Sequence, residues 1–182
     1  FAPRLIEGDF LKMDLRERFS GGVRVIGNFP YNISSQIFFK IIENRDLVPE
    51  CVGMVQREVA VRIAEPPGSR EYGILSVLLQ AWYDIEYLFT VGEKVFNPPP
   101  KVKSAVIRLR RNGVRSLDCD EQLFMKVVKA SFGQRRKMLR NSLRAAFGEF
   151  DSEHRFFSMR AEQLSVADFT ELTRWVAEHR SK

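Results

Sequence analysis

The sequence predicts an α/β fold followed by a smaller helical part. Short apolar runs at residues 5–6 and 23–26 each end at a turn that carries a polar residue, which is typical of buried strands in a parallel sheet. Strand and helix patterns then alternate up to about residue 113, and only helical patterns follow. We therefore expect two domains, an α/β core over 1–113 and a small all-α domain over 114–182.

The individual elements follow from the spacing of apolar residues. Strands are predicted at 5–6, 23–26, 51–55, 84–89 and 105–110. In the last of these, apolar residues at 105, 107 and 109 alternate with Arg108 and Arg110, which predicts one solvated face. Helices are predicted after a cap at Ser34 or Ser35, then over 57–64, 74–82, 120–147 and 162–178.

Composition excludes several classes of protein. The chain has 182 residues, of which 45% are hydrophobic and 29% charged, so it is neither disordered nor rich enough in uncharged runs to cross a membrane. Cys51 and Cys119 are isolated, and His154 and His179 are not spaced to share a metal with them. We expect no metal, no disulfide framework, no membrane association and a reducing, cytoplasmic location.

The net charge of +6 is unevenly distributed. Residues 101–147 carry 13 basic and 3 acidic side chains, whereas the segments on either side are slightly acidic. A local excess of this kind is the usual electrostatic footprint of a protein that binds a nucleic-acid backbone.

The tetrapeptide at 28–31, Asn-Phe-Pro-Tyr, is the most informative short motif for the function. It follows a predicted buried strand and precedes a helix, where an open α/β sheet places its ligands. A polar turn is the alternative, since Asn and Pro dominate turns. The functional interpretation is that the Asn28 side-chain oxygen and the Pro30 carbonyl accept hydrogen bonds from an adenine amine and hold it in line with an electrophilic methyl group. Tyr31 then offers a face on which an extruded base stacks.

These residues resemble the catalytic loop of N6-adenine methyltransferases that depend on S-adenosylmethionine. Residues 7–11 resemble the third-strand motif of such enzymes, and residues 95–106 resemble their Phe-x-Pro-x-Pro-x-Val-x-Ser segment. Residues 132–137, 140–143 and 160–165 resemble the C-terminal signature of the small-subunit enzymes. The sequence as a whole is similar to the KsgA family of ribosomal RNA adenine N6-dimethyltransferases.

The resemblance implies a Rossmann-like class I methyltransferase core and dimethylation of two adjacent adenines near the 3′ end of small-subunit ribosomal RNA, within the assembling small subunit. It implies that Asp9 and Asn28 contact the cofactor, and that Phe96 closes on the target base beside Pro30 and Tyr31. Taken alone, Asp9 could be a turn residue and Phe96 a core residue.

Basic side chains from the charged segment are the candidate RNA contacts. We expect a stripe of cations on one long helix, without interleaved acids, that RNA phosphates neutralise. A solvated helix face is the alternative. The predicted RNA-binding residues are Lys101, Lys103, Lys126, Lys129, Arg135, Arg136, Lys137, Arg140 and Arg144.

One element of the family pattern is missing. The eleven glycines include no Gly-x-Gly-x-Gly loop for the methionine and ribose of the cofactor, and such a segment would lie upstream of Phe1. We expect that the first β-α-β unit is absent from this chain and that the chain by itself binds S-adenosylmethionine very weakly, with little or no activity.

Two other functions compete with this prediction. A large-subunit ribosomal RNA adenine methyltransferase that confers antibiotic resistance shares the 28–31 loop, but the segments at 135–143 and 160–165 disfavour it. A non-catalytic, RNA-binding ribosome assembly factor would keep the basic surface without the chemistry.

Overall fold

The computed structural model describes residues 5–180 and contains a four-stranded mixed sheet. The strands are β1 (Val25–Asn28), β2 (Glu50–Gln56), β3 (Tyr83–Val91) and β4 (Ser104–Arg111). Their order across the sheet is β1-β2-β4-β3, with β1 parallel to β2 and β4 antiparallel to both of its neighbours. The last four predicted strands are confirmed, with bounds that shift by one or two residues.

The strand predicted at residues 5–6 is wrong. Leu5 and Ile6 are 80% and 44% exposed and belong to no strand. An apolar pair becomes a strand only when a neighbouring strand satisfies its backbone groups, and no strand in the described part of the chain pairs with these residues.

The two faces of the sheet differ, as the alternation in β4 predicts. Ala105, Ile107 and Leu109 are fully buried beneath helices, whereas Arg108 and Arg110 lie on the other face. On that face, Arg108 is paired with Glu86 of β3 across the ladder. The period of two along β4 therefore separates the core from a charged surface.

The helices cover the buried face of the sheet and continue beyond it. They are α1 (Leu15–Arg18), α2 (Ser34–Glu43), α3 (Arg57–Ala64), α4 (Ile74–Gln80), α5 (Glu121–Gly133), α6 (Leu139–Phe147) and α7 (Val166–His179). The cap predicted before α2 is also wrong. Ser34 is already helical, and its hydroxyl donates to the carbonyl oxygen of Tyr31 at 3.2 Å.

The long helix predicted over 120–147 is two helices. The helix ends at Gly133 because Gln134 leaves the helical region, with φ −125° and ψ 61°. The next helix begins at Leu139, whose N–H donates to the Met159 carbonyl at 2.8 Å. The backbone N–H groups at the start of α6 thus find acceptors in a distant loop, which helical periodicity does not reveal.

The helices after residue 120 pack on the sheet region through a cationic and aromatic contact. The Arg45 guanidinium, two residues beyond the end of α2, lies 4.4 Å from the Trp82 ring and donates to the carboxylate of Glu121 in α5. Trp82 in turn packs edge-on against Phe124, 6.1 Å between ring centroids. The domain boundary at residue 113 stays a prediction, since one cluster of buried side chains spans both parts.

Candidate active site

The Phe29 side chain, between Asn28 and Pro30, anchors the loop after β1 in the core. The Phe29 side chain is 5% exposed, and its ring packs edge-on against Phe38 at 5.7 Å. The Phe29 N–H donates to the Met54 carbonyl at 3.0 Å, which extends the β1–β2 ladder by one bond. Asn28 and Pro30 on either side are consequently held at the surface, at the carboxyl edge of two parallel strands.

Tyr31 begins a 3₁₀ turn (Tyr31–Ile33) and is half-buried. Its hydroxyl lies 2.6 Å from the Ser104 hydroxyl at the start of β4. The Pro30 carbonyl accepts from the Ile33 N–H at 3.2 Å and keeps a second lone pair. The Asn28 side-chain amide has no hydrogen-bond partner within residues 5–180.

A cavity of about 260 Å³ collects the predicted base-binding residues. Its lining comprises Asn28, Phe29, Pro30, Tyr31, Phe96, Pro98 and Pro100. Asn28 is the last residue of β1 and the next three belong to the loop after it, whereas the last three come from the connection between β3 and β4. The fold therefore brings together the four predicted catalytic residues from two segments that are distant in sequence.

A larger cavity of about 630 Å³ is lined in part by the same segment. Its lining is mostly apolar and includes Asp9, Phe10 and Ile26, together with Asn28 and Pro30. Asn28, Phe29 and Pro30 line both cavities, so this short segment forms their shared wall. Groups bound on the two sides would meet at Asn28.

Asp9 is a turn residue that also lines the larger cavity. One carboxylate oxygen accepts from the Leu11 N–H at 2.9 Å, as in a turn, and the other lies 3.9 Å from the Lys12 ammonium. The side chain is 49% exposed and lines the larger cavity. It therefore lines the same cavity as Asn28 and has acceptor capacity to spare.

The predicted RNA-binding residues lie in three places. Lys101 and Lys103 belong to the β3–β4 connection, where the Lys103 carbonyl accepts from the Arg57 N–H at 2.9 Å. Lys126 and Lys129 lie on α5, and the Lys129 ammonium is 5.1 Å from the Phe39 ring centroid. The remaining predicted cations, Arg135, Arg136, Lys137, Arg140 and Arg144, fall in the α5–α6 turn and on α6.

The expected stripe of unpaired cations on one helix is wrong in two respects. The break at Gln134 divides it between two helices and a turn. Acidic residues from the next loop also neutralise its end, since Glu153 pairs with Arg140 at 2.8 Å and with Arg144 at 3.3 Å. Arg136 and Lys137 are exposed and have no carboxylate partner in the described chain.

A groove of about 440 Å³ contains residues that the sequence did not identify. Arg62 of α3, Phe39 of α2 and Phe132 of α5 line it together with Arg135, which donates to the backbone carbonyls of Arg70 and Tyr72. The lining carries two cations and no carboxylate. No local signal marks Phe39 and Arg62, because only the packing of four separate elements places them beside Phe132 and Arg135.

Ionisation is perturbed away from the candidate site. Burial raises the pKa of the Cys51 thiol to about 12, so this cysteine is a neutral core residue. Burial also lowers the pKa of His154, although Glu171 opposes the shift. The lining of the smaller cavity contains no carboxylate, histidine or lysine that could act as a strong base.

The described residues contain neither a cluster suited to a metal ion nor a helix suited to a membrane. Within 5–180, no group of three or more His, Cys, Asp or Glu side chains is arranged to hold a metal ion. No helix in that range is both long and apolar enough to cross a membrane.

Comparison with known proteins defines the class. The family model "Ribosomal RNA adenine dimethylase" matches residues 4–178. The chain is similar to "Ribosomal RNA small subunit methyltransferase A" of Bacteroides thetaiotaomicron, with 60% identity over 96% of this chain and 66% of the relative. The protein of the same name from Cytophaga hutchinsonii is 56% identical over 93% of this chain and 66% of the relative.

Solved structures share the fold. A dimethyladenosine transferase from Plasmodium falciparum superposes with a TM-score of 0.77 and 22% identity, over 97% of this chain and 74% of that one. The 23S rRNA methyltransferase ErmE gives a TM-score of 0.60, also at 22% identity, over 93% of this chain and 71% of that one. The chain therefore has a Rossmann-like methyltransferase fold.

Because the family model covers nearly the whole sequence, the chain belongs to the ribosomal RNA adenine dimethylase family. This confirms the resemblance found in the sequence. The chain spans about two thirds of the length of the curated relatives it matches.

Proposed function

We propose that the protein dimethylates the N6 amines of two adjacent adenines near the 3′ end of small-subunit ribosomal RNA, using S-adenosylmethionine. Its partner is the assembling small ribosomal subunit, and its location is the cytoplasm. Family membership and the names of the curated relatives support an RNA methyltransferase of the small subunit. The observation that carries the proposal is the shared wall at Asn28–Pro30 between two cavities, since methyl transfer needs a donor and an acceptor to meet at one point.

The residues around the larger cavity fit the adenine end of the cofactor. Asp9 offers carboxylate oxygens to an exocyclic amine, and Phe10 and Ile26 offer apolar surface to a purine ring. The volume of about 630 Å³ is in the usual range for a ligand of this size. When bound, the cofactor supplies an electrophilic methyl group.

The smaller cavity suits an extruded adenine. Tyr31 and Phe96 come from different loops and give it aromatic surface on which a base stacks. The Asn28 side-chain oxygen and the free lone pair of the Pro30 carbonyl are acceptors for the N6 hydrogens. They orient the amine nitrogen and favour the charge that develops on it as it is methylated.

Deprotonation follows without a dedicated base. The lining residues of the smaller cavity supply no strong base, so the proton of the methylated amine leaves to water. The loop therefore contributes by accepting hydrogen bonds from the target amine and by excluding misoriented substrate. A second methylation needs the same groups, because the monomethylated amine keeps one N–H.

The RNA contacts are proposed on the side of the β3–β4 connection and the α5–α6 turn. Arg136 and Lys137 are exposed and free of carboxylate partners within residues 5–180, so phosphates are their natural counter-ions. The groove with Arg62 and Arg135 adds two cations beside the aromatic rings of Phe39 and Phe132. Recognition by backbone charge and shape is the expected mode for structured RNA.

The deciding experiment is Asn28→Ala in the full-length protein. We expect at least about a hundredfold loss of kcat, as for removal of one preorganised hydrogen-bonding group at a reacting centre. Methyl transfer from labelled S-adenosylmethionine to small-subunit particles measures it, with dimethyladenosine identified by mass spectrometry. Binding to the particle should not change.

Asn32→Ala is the matched control. Asn32 is exposed, lies in the same turn and lines neither cavity, so its loss should leave kcat unchanged. Retained activity in Asn28→Ala would contradict the proposed catalytic loop. A wild-type protein that binds particles but transfers no methyl group would instead be an assembly factor.

A further inference from the structure

The hydroxyl groups of Tyr31 and Ser104 form a hydrogen bond that links the two loops of the smaller cavity. The oxygens are 2.6 Å apart, and 73 positions of sequence separate the residues. Tyr31 belongs to the loop after β1, whereas Ser104 follows directly on the connection that carries Phe96. The bond therefore joins the Tyr31 side of the pocket to the Phe96 side.

Ser104 is the rigid partner of the pair. Its side chain is fully buried, and it stands opposite Gln56 of β2 and Val91 of β3. A position with strands on both sides is fixed by two ladders of backbone hydrogen bonds. A buried hydroxyl also requires a hydrogen-bond partner, and within the described residues Tyr31 is the partner of Ser104.

Tyr31 is less constrained without this bond. Its backbone is held by the 3₁₀ turn and by the Ser34 hydroxyl, which donates to its carbonyl. Neither contact fixes the rotation of the ring, whose terminal torsion is intrinsically broad. The ring is half-buried and one of its sides lines the cavity, so its plane decides how a base would stack there.

We propose that Ser104 is a positioning residue, which holds the Tyr31 ring in the plane that stacks the target adenine. The Tyr31 hydroxyl then serves orientation and takes no part in proton transfer. The inference rests on the proposed function, because it assigns the role of Ser104 in the same pocket. It also explains why the loop carries tyrosine where phenylalanine would offer the same stacking surface.

The test is a double-mutant cycle in the full-length protein with Tyr31→Phe, Ser104→Ala and the double variant. Each single change should lower kcat by about three- to tenfold, the fold-change expected for one hydrogen bond. The double variant should lose no more than either single one, since both remove the same bond. KM for the particle should stay constant because contacts to the RNA backbone, away from this pocket, set it.

A second measurement is independent of RNA and of catalysis. In the free protein with ¹³C-labelled tyrosine rings, Ser104→Ala should increase the mobility of the Tyr31 ring in NMR relaxation. Tyr72 and Tyr83, which are fully buried elsewhere, should not change. Tyr31→Phe identifies the resonance.

The outcomes separate the two proposals. Multiplied losses in the double variant, a much larger loss in Tyr31→Phe than in Ser104→Ala, or an immobile Tyr31 ring in Ser104→Ala would overturn the positioning role. Absence of methyl transfer in the wild type would overturn the proposed function, and the NMR measurement would still decide what Ser104 does. A Ser104→Thr variant, which keeps the hydroxyl, should restore the ring order.

Discussion

Gly53 on β2 lies directly against the ring of Phe29, so closely that a Cβ at position 53 would stand 2.5 Å from Phe29 Cε2. Gly27 on β1 is the second such contact, with a Cβ that would stand 3.1 Å from Cε1. The ring thus spans two glycines on paired strands, Gly27 opposite Gly53. The proposed catalytic loop owes its position to this recess, because Phe29 connects Asn28 to Pro30.

Gly53→Ala should therefore destabilise the protein and disturb the loop. The added methyl group would force the Phe29 ring out of its recess, and overpacking of this kind costs about 1–3 kcal/mol. Chemical denaturation measures the free energy of unfolding, and the rate of methyl transfer reports whether the loop is still correctly positioned. Combining Gly53→Ala with Phe29→Leu should recover part of both, since the smaller side chain makes room.

Gly92→Ala is the control for this prediction. A Cβ there meets nothing within 4 Å, and the backbone, at φ −71° and ψ 154°, suits any residue. The free energy of unfolding of the Gly92→Ala variant should equal or exceed that of the wild type. Equal destabilisation by both substitutions would show that the Phe29 recess is not the cause.

Phe96→Ala should reduce methyl transfer with little effect on stability. The side chain is only half-buried and lines the smaller cavity together with Tyr31. Stacking of one base on an aromatic side chain is worth about 1–3 kcal/mol, so kcat/KM should fall about tenfold or more. Val95→Ala, at a neighbouring side chain that is 70% exposed, should change neither quantity.

Removal of unpaired cations should weaken RNA binding more than removal of paired ones. Arg136→Ala and Lys137→Ala should each lower affinity and reduce the slope of log K against log salt by about 0.7–0.9. Arg140→Ala should change the slope less, because Glu153 already pairs with Arg140. Glu153→Gln should raise affinity at low salt. Equal slopes for all four variants and the wild type would place the RNA elsewhere.

The half-buried His154 should make the helical part less stable as the pH falls. Burial lowers its pKa, and the neighbouring charges of Arg155 and His179 act in the same direction, whereas Glu171 raises it. The unfolded chain therefore takes up a proton near the ordinary pKa of about 6.5 before the folded chain does. Stability is complete above that pH and declines below it, towards the lower folded pKa.

Unfolding measured between about pH 7.5 and about pH 5.5 tests this effect, since most carboxylates stay ionised in that window. His154→Asn keeps an acceptor for the Phe156 N–H, which His154 Nδ1 accepts at 3.3 Å. The variant should lose less stability over the window than the wild type. A wild type that gains stability as the pH falls would show that Glu171 dominates.

Much of the fold follows from local patterns, and the exceptions share a cause. The period-two alternation of β4 and the apolar face of α2 gave correct elements because each pattern matches a buried face in the structure. The apolar pair at 5–6 and the helix predicted across 133–139 failed. In both cases the outcome depended on hydrogen-bond partners of the backbone that are distant in sequence. Leu5 has no strand partner within the described residues, whereas the Leu139 N–H donates to the Met159 carbonyl.

The sequence by itself determined the family and predicts the chemistry of the site. Asn28, Pro30 and Tyr31 are predicted because their functional groups match a reaction, and Phe96 is predicted from the family resemblance of residues 95–106. Only the tertiary structure decided three other features. These are which charged side chains are paired, which loops meet and where the recess for Phe29 forms. The Arg140–Glu153 pair, the Tyr31–Ser104 bond and the Gly53–Phe29 contact all join residues at least 13 positions apart. Such contacts carry no local periodicity, so only the packing of the elements specifies them.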